Sequence, residues 1–166
     1  MVRSVGVIVG VLTAVILGLG PAAGETKKAP CGAPETLTFE DWPSWTKATP
    51  KPILSPGHGG IWVGIYLNDL ARDVYLAAGA PHPTCAAIVK AIYGVADGSE
   101  VLRLSVMVKM PAGYHSDRAD WWYGTYDAEG RKAKRQGKLQ DCFLCHAFAE
   151  ETDYLFAEEV LRAIGK

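Results

Sequence analysis

Charge of one sign, internal repeats and long apolar runs are what this sequence has little of. Lys and Arg number 17 against 18 Asp and Glu, a formal net charge of −1, so no broad positive field favours nucleic acid. The one basic run, Arg131-Lys132-Ala133-Lys134-Arg135, is read as a solvated turn, with docking of an acidic redox partner as the sharper alternative. The absence of repeats and low-complexity tracts excludes a solenoid. Four cysteines in 166 residues are too few for a disulfide scaffold, and the chain is long enough to bury one core without them. A single apolar run, Val5 to Leu19, falls short of the ~20 residues that span a bilayer. Nothing later is apolar enough to cross one, so no membrane is expected as a partner once that run is removed.

What is present begins with that run. A short positive start, Met1-Val2-Arg3-Ser4, precedes it, and small residues at Ala22 and Gly24 follow it. This is the pattern of a secretory signal peptide over residues 1–24, cleaved after Ala23 or Gly24, and it predicts a periplasmic or secreted protein. Lys27-Lys28-Ala29-Pro30-Cys31 lacks the small apolar pattern of a lipid-attachment box. Residues 25–56 are rich in Pro and Gly and are read as an arm of loops, with one helical turn near Phe39–Trp45. From residue 57 to 166 the periodicity predicts a single domain. Ile61, Val63, Ile65 and Leu67 alternate with Trp62, Gly64 and Tyr66 as a strand. Residues 68–79 form a short helix capped by Asn68 or Asp69. Strands follow in the segments that begin at Cys85, Val101 and Asp120. Trp121 and Trp122 take opposite faces of the last, one inward and one toward a partner or the surface. Leu139, Cys142 and His146 share a helix face, and residues 150–166 supply a terminal helix. Strands first and helices last give an α+β class: a mainly antiparallel sheet with a C-terminal helical region.

The chemistry lies in Cys142-Phe143-Leu144-Cys145-His146. A zinc site needs four ligands, and Cys31, Cys85, His58, His82 and His115 supply no second pair at ligand spacing. A thioredoxin-type dithiol needs a βαβ context, which is absent. Neither explains a histidine directly after the second cysteine. One covalently bound haem c explains all three residues: thiols three apart on a helical turn take the two vinyl groups, and the next imidazole binds the iron. Met107 and Met110 are the methionines beyond the leader, and both precede the motif on a strand. They are read as core, so the sixth position of the iron is expected open. That points to small-molecule chemistry more than to electron relay. Cys31 and Cys85 remain, and in an oxidising compartment they are expected to form a disulfide tying the arm to the second strand. Closing so long a loop stabilises by roughly 4 kcal/mol on the chain-entropy argument.

The aromatic strand Asp120-Trp121-Trp122-Tyr123, the C-terminal Cys142–His146 motif, the tail Thr152-Asp153-Tyr154-Leu155-Phe156 and the upstream Lys90 together resemble the cytochrome P-460 family. The likeness covers roughly Gly57 to Phe156. It implies a homodimeric β-rich fold with a C-terminal haem helix. It also implies oxidation of hydroxylamine, nitric oxide, or both, with a soluble cytochrome c taking the electrons. In the hydroxylamine-oxidising members a lysine nitrogen bonds to a meso carbon of the porphyrin, and Lys90 stands at that place. Ala91 follows it where the family usually has an acidic residue. His58 and Trp62 lie where the family builds its distal wall. The alternatives are a β-type cytochrome c′ that binds nitric oxide or carbon monoxide without turnover, and a simple electron-transfer cytochrome.

Overall fold

The computed structural model describes Met1 and residues 31–166. The expected signal peptide, residues 1–24, and the first residues of the arm lie outside the described residues, apart from Met1. The chain is an α+β fold, as the order of strands and helices predicts. Its strands are β1 (Thr46–Lys47), β2 (Ile53–Ser55), β3 (Ile61–Leu67), β4 (Ala87–Tyr93), β5 (Val101–Lys109), β6 (Trp121–Tyr126) and β7 (Ala133–Gly137). Its helices are α1 (Asp69–Leu76), α2 (Gln140–His146) and α3 (Ala157–Ala163). All seven strands form one sheet in the order β1-β3-β4-β5-β6-β7, with β2 also on β3. Every pairing is antiparallel.

Three sequence readings are corrected. The basic run is not a turn: residues 133–137 pair with β6. Ala-Lys-Arg-Gln-Gly has no apolar alternation because it is an edge strand, where exposed charge is the usual guard against further pairing. The segment 150–166 is not one helix, because Asp153 and Tyr154 take left-handed backbone angles and α3 starts only at Ala157. Trp121 and Trp122 do point to opposite faces, but both are fully buried. The sheet is covered on both sides, so neither face is left for solvent or a partner at that point.

One face is covered by the arm. From residue 31 it runs as loops and 3-10 turns, one of them at Trp42–Ser44, and it adds the short strands β1 and β2. Leu37, Phe39, Trp42 and Trp45 cover Tyr66, Leu104, Trp122 and Tyr126 in one cluster. Phe39 meets Tyr126 edge-on at 5.0 Å between centroids. The β6–β7 turn locks this layer, since Phe39 N–H donates to the Gly130 carbonyl at 2.8 Å. Gly130 sits at φ +74°, and a Cβ there would lie 2.6 Å from the Phe39 carbonyl oxygen. Gly130→Ala is therefore expected to cost about 2 kcal/mol, through backbone strain and displacement of the arm, read as a lower thermal midpoint.

The other face is covered by the helices, with Ile65, Leu67, Ile88, Met107 and Trp121 under Tyr75, Phe143 and Leu155. Asn68 caps α1 by accepting from Ala71 N–H, and the same oxygen accepts from Ala87 N–H on β4. A disulfide joins Cys31 and Cys85, so the start of the described arm is tied to the approach to β4.

Candidate haem site

Strand register decides which side chains meet on the helical side of the sheet. Ile65, Lys90, Ser105, Thr125 and Arg135 are successive cross-strand neighbours. Leu67, Ile88, Met107 and Tyr123 form the adjacent row. Over these rows lies a cavity of about 910 Å³, closed from above by α2, the segment after it, and α3. That volume is near the top of the ~300–1,000 Å³ range usual for cofactor and ligand sites.

Cys142, Cys145 and His146 all line this cavity. The helix is fixed by Phe143, which is buried against Tyr154 at 5.4 Å between centroids, with the Arg118 guanidinium 3.7 Å over its ring. Both cysteines are free thiols, Cys142 half-buried and Cys145 exposed. Burial first, and Asp141 beside it, push the Cys142 thiol above its ordinary value. A redox dithiol needs the opposite shift. Among the described residues no three of His, Cys, Asp and Glu converge as a ligand set for a bare ion.

His146 is oriented by the turn that follows it. Its Nδ1 lies 2.7 Å from the Tyr154 carbonyl oxygen. A carbonyl can only accept, so Nδ1 carries the hydrogen and Nε2 keeps the lone pair, the tautomer a metal ligand requires. The ring packs against Tyr123 at 5.8 Å and Phe156 at 5.4 Å. Burial, opposed by the Tyr154 bond and reinforced by the Lys90 charge, lowers its pKa to about 4. The imidazole is therefore neutral at neutral pH.

Lys90 and His58 also line the cavity, together with Arg103. Lys90 is half-buried and faces the cavity, and burial lowers its pKa to about 8. His58 ends the 3-10 turn before β3. Burial, then the charges of Lys90, His146 and Arg103, bring it to about 4. Trp62, the other residue expected in a distal wall, does not line the cavity. It packs against the cluster on the opposite face, because even-numbered positions of β3 point away. Met110 is also in that opposite cluster, whereas Met107 lines the cavity beside Tyr123.

Sequence reasoning missed Arg103, Ser105, Thr125 and Arg135. The signal was available in β5, where Arg103 and Ser105 alternate with Leu104 and Val106. It becomes readable only when the register places Ser105 beside Lys90. Arg135 is held by Asp141 through two hydrogen bonds of 2.9 and 2.8 Å. Arg103 forms no ion pair with any described residue. The residues thus fit a haem: two thiols and a neutral imidazole on one wall, a largely apolar chamber, and a spare guanidinium for a propionate.

A mono-haem cytochrome of the c type is what such a wall of thiols and imidazole serves, and the chain is of that class. The family model for cytochrome P460 matches residues 38–157, most of the chain, and the protein belongs to the cytochrome P460 family. No curated protein matches the sequence.

Proposed function

We propose that this protein is a periplasmic cytochrome that oxidises hydroxylamine, nitric oxide, or both, passing electrons to a soluble cytochrome c and working as a homodimer. Cys142 and Cys145 would hold one haem c by thioether bonds, His146 would supply the imidazole ligand to its iron, and Arg103 would meet a propionate. When bound, the haem supplies an iron that changes oxidation state and takes small nitrogen ligands. Met107 stands on the row of Tyr123, the ring that packs on His146, so its sulfur shares the His146 wall of the cavity and is not proposed as a second ligand. The observation that carries the reading is the convergence of Lys90, His58 and Arg103 with the motif on one cavity. Neutral His58 is the group suited to take a proton from a bound N–H. Lys90, which burial desolvates, would be suited to a covalent tie to the haem edge, its N–H and a porphyrin C–H giving two protons to solvent and two electrons to the soluble acceptor as the N–C bond forms. Periplasmic location rests on the signal-peptide pattern. Among the described residues no helix is long and apolar enough to cross a membrane.

A second reading is supported by one observation. Ser105, not a carboxylate, lies opposite Lys90 on β5, and Ala91 follows it. With no anionic base at that place, capture of nitric oxide or carbon monoxide without turnover becomes the alternative. Spectra of the ferric and ferrous protein with and without carbon monoxide, hydroxylamine turnover with a soluble acceptor, and intact mass test both. Turnover, with a mass lower by the two hydrogens that an amine-to-carbon bond displaces, supports the oxidase. Carbon monoxide binding without turnover, and thioether bonds alone, supports capture. A six-coordinate iron that carbon monoxide does not displace would overturn both readings.

A further inference from the structure

The turn that carries the Tyr154 carbonyl is held from outside. Asp153 and Tyr154 have φ of 55° and 66°, a conformation that tyrosine in particular disfavours and that persists only when its surroundings fix it. The surroundings converge on Asp153, which is buried. Its Oδ2 accepts from His82 N–H at 2.7 Å and lies 3.3 Å from His82 Nδ1. Its Oδ1 accepts from Lys109 Nζ at 2.5 Å and from Trp121 Nε1 at 3.3 Å. Its backbone carbonyl accepts from Trp121 Nε1 at 2.8 Å. The next two amides are also pinned: Tyr154 N–H donates to Ala149 O at 2.7 Å and Leu155 N–H to Thr152 O at 3.2 Å. The residue just before the carbonyl that faces His146 is thus clamped from β5, from β6 and from the loop before β4.

We propose that Asp153 is the positioning residue of the axial imidazole: through its bracket of His82, Lys109 and Trp121 it fixes the Tyr154 carbonyl on His146 Nδ1 and so sets how electron-rich that ligand is. The family tail Thr152–Phe156 thereby acquires a physical role. A short Nδ1–H bond raises ligand basicity and favours the ferric state, and outer partners of this kind typically matter 10- to 100-fold. The inference rests on His146 being the axial ligand.

The test uses the haem-loaded protein and two readouts, the iron–histidine stretch of the ferrous form by resonance Raman and the reduction potential. Asp153→Asn removes the carboxylate, while Trp121→Phe removes only a neutral donor to the same turn. Both are expected to lower the stretching frequency. Both are expected to shift the ferric-to-ferrous ratio about tenfold toward ferrous at fixed poise, equivalent to about 59 mV for one electron. A rise in potential in Asp153→Asn with an unmoved stretch, and no effect in Trp121→Phe, is a through-space charge effect and overturns the proposal. Lower stability with both readouts unchanged overturns it as well. Should Asp153→Asn not hold haem, Trp121→Phe and Lys109→Gln carry the same test. Absence of any iron–histidine band in the unmutated protein would defeat the ligation itself. A band that is present and unmoved defeats only the positioning role.

Discussion

Denaturing electrophoresis of the Cys142→Ala/Cys145→Ala protein is expected to show no haem migrating with the polypeptide unless Lys90 forms its own covalent tie, where the unmutated protein keeps its colour. The expectation follows from what each bond survives. The proposed coordination by His146 and apolar contact with Ile65, Leu155 and the rest of the chamber depend on the fold, and both would vanish in detergent and heat. The proposed thioether bonds from Cys142 and Cys145 would not. Each single variant keeps one covalent bond and should retain haem through denaturation, with an altered absorption spectrum. The double variant should also be far less stable when folded. A cavity of about 910 Å³ lined by Ile65, Ile88, Met107 and Leu155 gains its packing from the group that fills it, and a ligand that binds only the folded state stabilises it by RT ln(1 + L/Kd), L being the free ligand concentration. Haem that stays with the double variant after denaturation is the result expected where Lys90 forms its tie, and adding Lys90→Gln should then release it; haem kept by that triple variant would place the attachment elsewhere.

How much of this was legible in the sequence follows from which signals are local. The strands β3 to β6 and the cap at Asn68 are written in alternation and in a side-chain preference for helix starts, and they appear where those patterns place them. Cys142, Cys145 and His146 are adjacent in sequence, so one turn of helix suffices to align them. The rest is set at long range. β7 carries charge where a strand detector looks for apolar residues, and its pairing comes from the turn at Gly130. The polar neighbours of Lys90 emerge only from the register of three strands. Trp62 and His58 are four residues apart yet reach opposite sides of the sheet, because the strand begins between them and alternation then decides. The left-handed turn at Asp153 and Tyr154 is invisible to helix periodicity, since partners at positions 82, 109 and 121 stabilise it.

That turn also contributes to the acid stability of the protein. Burial alone would raise the Asp153 carboxyl, but the His82 ring, the Lys109 ammonium and the His82 N–H outweigh it and hold the group below the usual carboxylate range. A depressed carboxyl contributes stability that is fully present above its unfolded value, ~3.9. That contribution is lost as pH falls through the folded value. The haem-loaded protein should therefore lose the Asp153 contribution to its urea midpoint below about pH 4, beyond the fall that begins near pH 6.5 as the unfolded chain protonates His58, which the fold holds at about 4. Asp153→Asn leaves the Lys109 ammonium, whose side chain is only 12% exposed, without its partner. Breaking a buried pair in this way should cost about 3 kcal/mol near neutral pH. With the titrating group gone, the variant should lose less as the solution is acidified, so the two curves converge toward pH 2. Curves that stay parallel across that range would show that Asp153 titrates alike in the folded and unfolded chain, and that its bracket of donors contributes nothing as a charge.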